Sequence, residues 1–301
     1  MNILFRADSS SQIGTGHIMR DLVLAKKYEK KKHNIIFASR ELEGNINSKI
    51  DEAQYKRLVL KTENIKELNR IIKEQNIDMI VIDHYGIDFS FEKKLKKANP
   101  SLKIFVLDDT YERHYCDTLL NHNISADKKR YKGLVPNSCK LKCGKKYTLL
   151  REEFIKEKKK KRKRNDTKIK TIFIAMGGAD HSNINIDILK VLSKFKNIKV
   201  NLVTTRANKN LKELEAYCQN KKWIILHINS NKIAKLMAKS DFAIVTPSVT
   251  INEVYYLGLP MIAVKTADNQ LDMYKYLKKK KISLLKKFDR NKLRTYINKI
   301  V

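Results

Sequence analysis

The sequence predicts an α/β protein built from two doubly wound, parallel-sheet domains facing each other across a cleft. Three observations lead there. Short apolar runs alternate with amphipathic segments from one end of the chain to the other. A charged run from Lys156 to Arg164 interrupts that alternation near its middle. Each half opens on an apolar strand that passes directly into a glycine-bearing polar loop and then a helix. The expected boundaries are residues 1–155 for the first domain, 156–168 for a charged linker and 169–301 for the second domain.

In the first half, Ile3-Leu4-Phe5 reads as a strand and Asp21 to Tyr28 as the helix after it. Asn34 to Ala38 gives a second strand. Ile65 to Glu74 places Ile65, Leu68, Ile71 and Ile72 on one side of a helix. Asp78 to Asp83 is a buried strand, Phe91 to Lys97 a helix, and Lys103 to Leu107 another strand. Leu119 to Asn123 and Cys139 to Gly144 read as shorter strands or turns. Uninterrupted apolar strands alternating with helices require a parallel sheet covered on both faces. In the second half, Lys170 to Ala175, Val200 to Thr204, Trp223 to Leu226, Phe242 to Val245 and Met261 to Val264 are strands. Helical spacing falls at Ile184 to Phe195, Leu211 to Cys218, Ile233 to Ala238 and Ile251 to Leu257. The lysine-rich stretch from Lys278 to Lys287 reads as helical or solvated, without chemistry of its own.

Composition narrows the function. The chain has 301 residues, 42% of them hydrophobic, which is enough for two packed cores. No apolar run reaches the roughly 18–20 residues of a membrane span, so membrane insertion is not expected and a cytoplasmic protein is. Lys and Arg number 64 against 32 Asp and Glu, a net charge of +32. That excess favours capture of an anionic substrate. It is mostly lysine spread along the whole chain, and no nucleic-acid motif accompanies it, so nucleic acid is not the expected partner. Cys116, Cys139, Cys143 and Cys218 include one close pair, but no second Cys/His pair completes a zinc pattern; reduced structural thiols are expected.

The chemistry concentrates at strand ends, where ligands gather in such sheets. Arg6 to Arg20 holds Gly14, Gly16 and His17. The glycines let backbone approach a ligand, and His17 falls at a helix opening, beside free N–H groups suited to an anion. Its imidazole suits proton transfer near neutral pH. Asp83-His84-Tyr85-Gly86 and Asp108-Asp109 close two further strands of the same half. In the second half Gly177-Gly178 can admit phosphate, and Glu253 near a helix start can accept hydrogen bonds from two ribose hydroxyls. Asp268-Asn269-Gln270 sits at the end of another strand. Neither half holds a full Gly-x-Gly-x-x-Gly or P-loop lysine motif, which argues against a dinucleotide redox enzyme or an NTPase.

Taken together, Leu4 to His17, Ile82-Asp-His-Tyr-Gly86, Gly133-Leu-Val-Pro136, Leu150-Arg-Glu-Glu-Phe154, Met176-Gly-Gly178, Ile233-Ala-Lys-Leu-Met237 and Asn252-Glu253 resemble one family over residues 1 to about 275. That family is the UDP-2,4-diacetamido-2,4,6-trideoxy-β-L-altropyranose hydrolases of pseudaminic acid biosynthesis. It is related to UDP-sugar glycosyltransferases of the GT-B fold, two Rossmann-like domains with an interdomain cleft. The resemblance implies a monomeric, metal-independent hydrolase with no cofactor, acting on a UDP-sugar by inverting attack of water at the anomeric carbon. It makes His17 the base or the water-orienting group. It places Tyr85 near the reacting region and has Asn269 hold sugar or phosphate. It puts Gly177, Gly178, Ser248, Val249, Glu253 and Gln270 around UDP, with Ile228 near uracil. A glycosyltransferase using the same nucleotide site is the alternative.

Overall fold

A computed structural model describes residues 1–160 and 171–300. The chain divides into two compact units, Met1–Leu149 and Leu150–Val301. Both are built on parallel sheets wound in the order 3-2-1-4-5, continued by further strands on one side.

In the first unit the elements run β1 (Asn2–Ala7), α1 (Gly16–Glu29), β2 (Asn34–Arg40), α2 (Ser48–Glu52), β3 (Lys56–Leu60), α3 (Ile65–Glu74), β4 (Met79–Asp83), α4 (Phe89–Ala98), β5 (Lys103–Leu107), β6 (Thr118–Asn121) and β7 (Lys140–Cys143). The strand order is β3-β2-β1-β4-β5-β6-β7. Strand side chains alternate between faces. Ile3, Phe5, Phe37, Val81 and Phe105 therefore pack with Ile18 and Leu24 of α1. Leu4, Ile36, Ile80, Ile82 and Ile104 pack on the other face with Leu68, Ile71 and Ile72 of α3 and Leu95 of α4. Both faces are buried, which is why the strands read as unbroken apolar runs. Helix α3 starts where Asn64 Oδ1 accepts from the Lys66 N–H at 2.9 Å, a cap contributing about 1 kcal/mol.

The second unit begins with α5 (Glu152–Lys159), followed by β8 (Thr171–Ala175), α6 (Asn185–Leu192), β9 (Lys199–Thr204), α7 (Leu211–Cys218), β10 (Ile224–Ile228), α8 (Ile233–Lys239), β11 (Phe242–Val245), α9 (Thr250–Leu257), β12 (Met261–Val264), α10 (Leu271–Lys279), β13 (Ser283–Leu285) and α11 (Arg290–Asn298). Its strand order is β10-β9-β8-β11-β12-β13, with every pairing parallel.

Three segments differ from the expectation. Residues 156–159, read as the start of a charged connector, belong to α5, which buries Phe154 and Glu157; the rest of the expected linker, through 168, lies outside the described residues from 161 onward. The stretch after Lys279 is not merely solvated. Strand β13 pairs with β12, and α11 buries Leu293 and Ile297 in the core. Strand β3 has no counterpart in the sequence reading, because Lys56-Arg57-Leu58-Val59-Leu60 buries only its last residue. Among the described residues, no helix is long and apolar enough to cross a membrane. All four cysteines are free, with Cys116 Sγ and Cys139 Sγ 3.6 Å apart.

Candidate active site

The strand order of the first unit reverses between β1 and β4, and the crevice beyond the carboxyl ends of those two strands is where such sheets bind ligands. The loop after β1 and the loop after β4 both open there. Gly14 has φ +84, a backbone conformation that the missing Cβ makes inexpensive, and its N–H closes the loop on the Ser10 carbonyl at 2.8 Å. Helix α1 then starts at Gly16, and apart from its chain neighbours and its own helix backbone nothing lies within 4 Å of where a Cβ on Gly16 would stand.

His17, in the first turn of α1, is buried at 5% exposure. Its Nδ1 lies 2.9 Å from the Asp83 carbonyl oxygen and 2.8 Å from Asp83 Oδ1. Both neighbours are acceptors, so Nδ1 carries the proton. In the neutral form Nε2 then keeps its lone pair, and it has no protein partner among the described residues. A neutral imidazole held by a carboxylate, with a free Nε2, is the arrangement of a general base. Burial opposes the charged imidazolium, but the charge and hydrogen bond of Asp83 outweigh it and raise the His17 pKa above the ordinary value.

Arg20 stands one turn further along α1. Its Nε and Nη2 each meet a different Asp83 oxygen at 2.5 Å, and its Nη1 reaches Asp109 Oδ2 at 2.8 Å. Burial alone would push the Asp83 carboxyl up; the Arg20 charge overcomes this and holds it well below the usual carboxylate range. Asp109 Oδ1 accepts from the Tyr85 hydroxyl at 2.9 Å, and the Tyr85 ring meets His17 edge to face with centroids 4.8 Å apart. Tyr85 is 63% exposed; partial desolvation of its hydroxyl first, and the Asp109 charge second, push the phenol up, so it remains a hydrogen-bond donor. The turn that presents Asp109 is set by Asp108, which accepts from Thr110 N, Thr110 Oγ1, Tyr111 N and Tyr131 OH. The three polar clusters of the sequence reading thus meet in one network, and Arg20, which that reading did not single out, joins them.

Beneath this network are two groups with no signal in the sequence. Asp21 and His122 are buried, and none of their side-chain polar atoms has a hydrogen-bond partner. Burial, reinforced by the Asp83 charge, raises the Asp21 pKa well above the usual value. Burial lowers that of His122 to about 4. Both are held neutral under the charged layer.

Beside His17 opens a recess of about 130 Å³ whose wall includes Asp8, Arg40, Glu63 and His84. Ligand-type atoms of Asp8, Glu63 and His84 come within 4.8 Å of one another, a spacing a cation could bridge. The donors do not fit that role. Asp8 already accepts from Arg6 Nη1 and Nη2, Arg40 N and Nε, and His84 Nε2 at 2.7–3.2 Å. A cation there would face two guanidinium groups.

In the second unit the strand order reverses between β8 and β11, and because the sheet is parallel the carboxyl ends of β8, β10, β11 and β12 share one rim. Gly177 (φ +88) and Gly178 follow β8. A Cβ on Gly178 would stand 2.9 Å from Thr205 Cγ2, so only glycine fits there while the Gly178 carbonyl accepts from Thr205 N and Oγ1. Ser248 and Val249 lie between β11 and α9; Ser248 Oγ accepts from Thr246 Oγ1 at 3.1 Å, and Val249 is exposed. Ile228 is the half-buried last residue of β10. Glu253, in the first turn of α9, accepts from Arg151 Nε and Nη2 through Oε1 alone, at 3.2 and 2.9 Å. Its Oε2 is unpaired among the described residues. Burial holds the Glu253 carboxyl above its ordinary pKa, with Arg151 offsetting only part of the shift. After β12 a single 3-10 turn, Asp268–Gln270, exposes Asn269. Gln270 turns inward, and its Oε1 accepts from Thr266 N and Ala267 N, so its amide holds the turn.

No protein-family model matches the chain. Solved structures give the fold. MurG of Acinetobacter baumannii superposes with a TM-score of 0.67 at 11% identity, covering 99% of this chain and 90% of that one. The rhamnosyltransferase SpnG gives 0.64 at 10% identity, covering 100% and 91%. Both are likenesses of fold alone, and the architecture is GT-B-like. Among sequences, an uncharacterized protein of Methanocaldococcus jannaschii is 30% identical over 287 residues, 93% of this chain and 59% of that protein. The UDP-2,4-diacetamido-2,4,6-trideoxy-β-L-altropyranose hydrolase of Campylobacter jejuni is 41% identical over 280 residues, 93% of this chain and 97% of that enzyme. With that identity over nearly the whole of both sequences, the chain belongs to the family of UDP-2,4-diacetamido-2,4,6-trideoxy-β-L-altropyranose hydrolases.

Proposed function

We propose that this protein hydrolyses UDP-2,4-diacetamido-2,4,6-trideoxy-β-L-altropyranose to UDP and the free sugar, as a step of pseudaminic acid biosynthesis. The observation that carries the chemistry is His17, a residue of the recess wall, with Nδ1 fixed by Asp83 and Nε2 without a protein partner among the described residues. In this reading Nε2 takes a proton from water as the water oxygen attacks the anomeric carbon. The bond from that carbon to the diphosphate oxygen breaks, its electron pair leaves with UDP, and the centre inverts. Asp83 stabilises the imidazolium that forms, and Tyr85 orients sugar or water beside it.

The second unit holds the nucleotide in this reading. Gly177 and Gly178 admit the diphosphate at the β8 terminus, and Ser248 and Val249 contribute at the opening of α9. The uncommitted Oε2 of Glu253 accepts from ribose, Ile228 lies against uracil, and Asn269 reaches the sugar or phosphate. Gln270 serves indirectly, by holding the turn that presents Asn269. Leaving-group charge is met by N–H groups and the basic surface, so no step is assigned to a metal. The committed oxygens of Asp8 support that assignment. The four free thiols fit a reducing cytoplasm.

Hydrolysis in H₂¹⁸O, followed by NMR and mass spectrometry, tests the reaction. Label in the sugar and none in UDP, with an inverted anomer formed first, is the expected result. Label in UDP would mean attack at phosphorus, and UDP release only on addition of an acceptor would mark a glycosyltransferase.

A further inference from the structure

We propose that the recess beside His17 seats the acetamido group on the sugar's second carbon, read by Arg40 and Glu63. The inference rests on the hydrolase reading above and adds to it the residues that recognise the substrate.

The argument comes from what remains unpaired around the recess. Asp8 has its oxygens taken by Arg6, Arg40 and His84. His84 is used at both nitrogens: Nδ1 accepts from the Gly86 N–H at 3.0 Å, which leaves the proton on Nε2, and Nε2 donates to Asp8 Oδ2 at 3.2 Å. Gly86 is required for this, because a Cβ there would stand 2.9 Å from His84 Cε1. The Tyr85 hydroxyl is committed to Asp109.

Apart from His17 Nε2, which the reaction uses, two polar atoms remain. Arg40 is held through its backbone N and Nε by Asp8 and through Nη2 by Glu63 Oε1 at 2.5 Å, which leaves Nη1 without a partner among the described residues. Glu63 Oε2 is likewise unpaired among the described residues and lies 4.0 Å from where a Cβ on Gly86 would stand. The recess therefore offers one strong donor, one strong acceptor and, from Ile13 at 38% exposure, an apolar contact.

That combination selects among substituents. A carboxylate or phosphate would face Glu63, and an ammonium would face Arg40. A hydroxyl can satisfy donor and acceptor but leaves Ile13 uncovered. An N-acyl amine fits all three, with its oxygen accepting from Arg40, its N–H donating to Glu63 and its methyl against Ile13. At about 130 Å³ the space far exceeds the roughly 10–15 Å³ one water needs. Because His17 forms part of the same wall and must face the anomeric carbon, the seated group belongs to the neighbouring carbon.

The test compares kcat/KM on three UDP-sugars: the diacetamido substrate and its analogues with hydroxyl in place of the acetamido group at the second or at the fourth carbon. Wild type should favour the parent over the second-carbon analogue by about 10²-fold or more. Glu63→Ala, at a half-exposed side chain, should shrink that preference by about tenfold or more. Ile13→Ser should shrink it as well, without touching the Arg40 network. If wild type cleaves the parent but both variants lower parent and second-carbon analogue in equal proportion, or not at all, the proposal is overturned. Coupling to the fourth-carbon analogue instead would also overturn it. If wild type cleaves none of the three, the hydrolase reading itself fails, a result distinguishable from the others.

Discussion

Asp83 Oδ1 lies 2.8 Å from His17 Nδ1, and the same carboxylate is gripped at both oxygens by Arg20. The carboxylate that orients the imidazole is thus itself immobilised, and its proton affinity is suppressed by the guanidinium. It remains anionic through the pH range in which His17 changes charge, so the histidine alone titrates.

The pH dependence of turnover follows. A base must be neutral to accept a proton, and Asp83 outweighs burial to raise the His17 pKa above 6.5. kcat/KM should therefore climb with pH along an acid limb whose midpoint lies above 6.5. For stability the sign is opposite. The Asp83–His17⁺ attraction is fully present below the unfolded-state pKa of histidine and is lost as pH rises through the raised folded value. Steady-state rates and thermal melts over pH 5–9 measure both.

Asp83→Asn removes the anion and the tautomer preference together. kcat should fall by about 10²–10⁴-fold, and the remaining acid limb should move to lower pH. Arg20 would keep only Asp109, so a loss of folding stability of about 3 kcal/mol is expected as well. An acid limb left in place would show that Asp83 does not set the His17 pKa.

Asp21 gives a prediction of the reverse sense. Its folded-state pKa is raised, so its favourable contribution to stability exists below the unfolded value of about 4 and is lost as pH rises toward the folded value. Asp21→Asn should melt above wild type at pH 8, with the difference shrinking toward pH 4. Denaturation series at the two pH values decide it.

Parts of the candidate site in each unit were legible in the sequence for a physical reason. His17, Tyr85, Gly177, Gly178 and Glu253 sit where an apolar strand gives way to polar residues, and that transition is written locally in the chain. The central strands were equally visible, since burial on both faces makes them unbroken apolar runs. Arg20, Arg40, Glu63 and Arg151 were not legible as site residues. Each pairs with a residue fixed by strand order: Asp83 is 63 positions from Arg20, and Glu253 is 102 from Arg151. Asp21 gave no signal because an acidic residue early in a helix reads as favourable charge placement. The edge strands β3 and β13 escaped because each buries few side chains.

Gly178→Ala examines the nucleotide side. The added methyl would stand 2.9 Å from Thr205 Cγ2, and Thr205 is tied in place by its hydrogen bond to the Gly178 carbonyl. We expect about 1–3 kcal/mol of destabilisation and at least tenfold weaker UDP binding, read by thermal melts and isothermal titration calorimetry. Destabilisation with UDP affinity intact would remove the Gly177-Gly178 turn from the diphosphate site.

The account stands most directly on His17→Asn, with kcat on the UDP-sugar and the Kd for UDP measured on the same preparation. Loss of the free Nε2 base should lower kcat by about 10²–10⁴-fold while the Kd for UDP stays within a factor of about three. Turnover at the wild-type rate would contradict the assignment of His17 as the base.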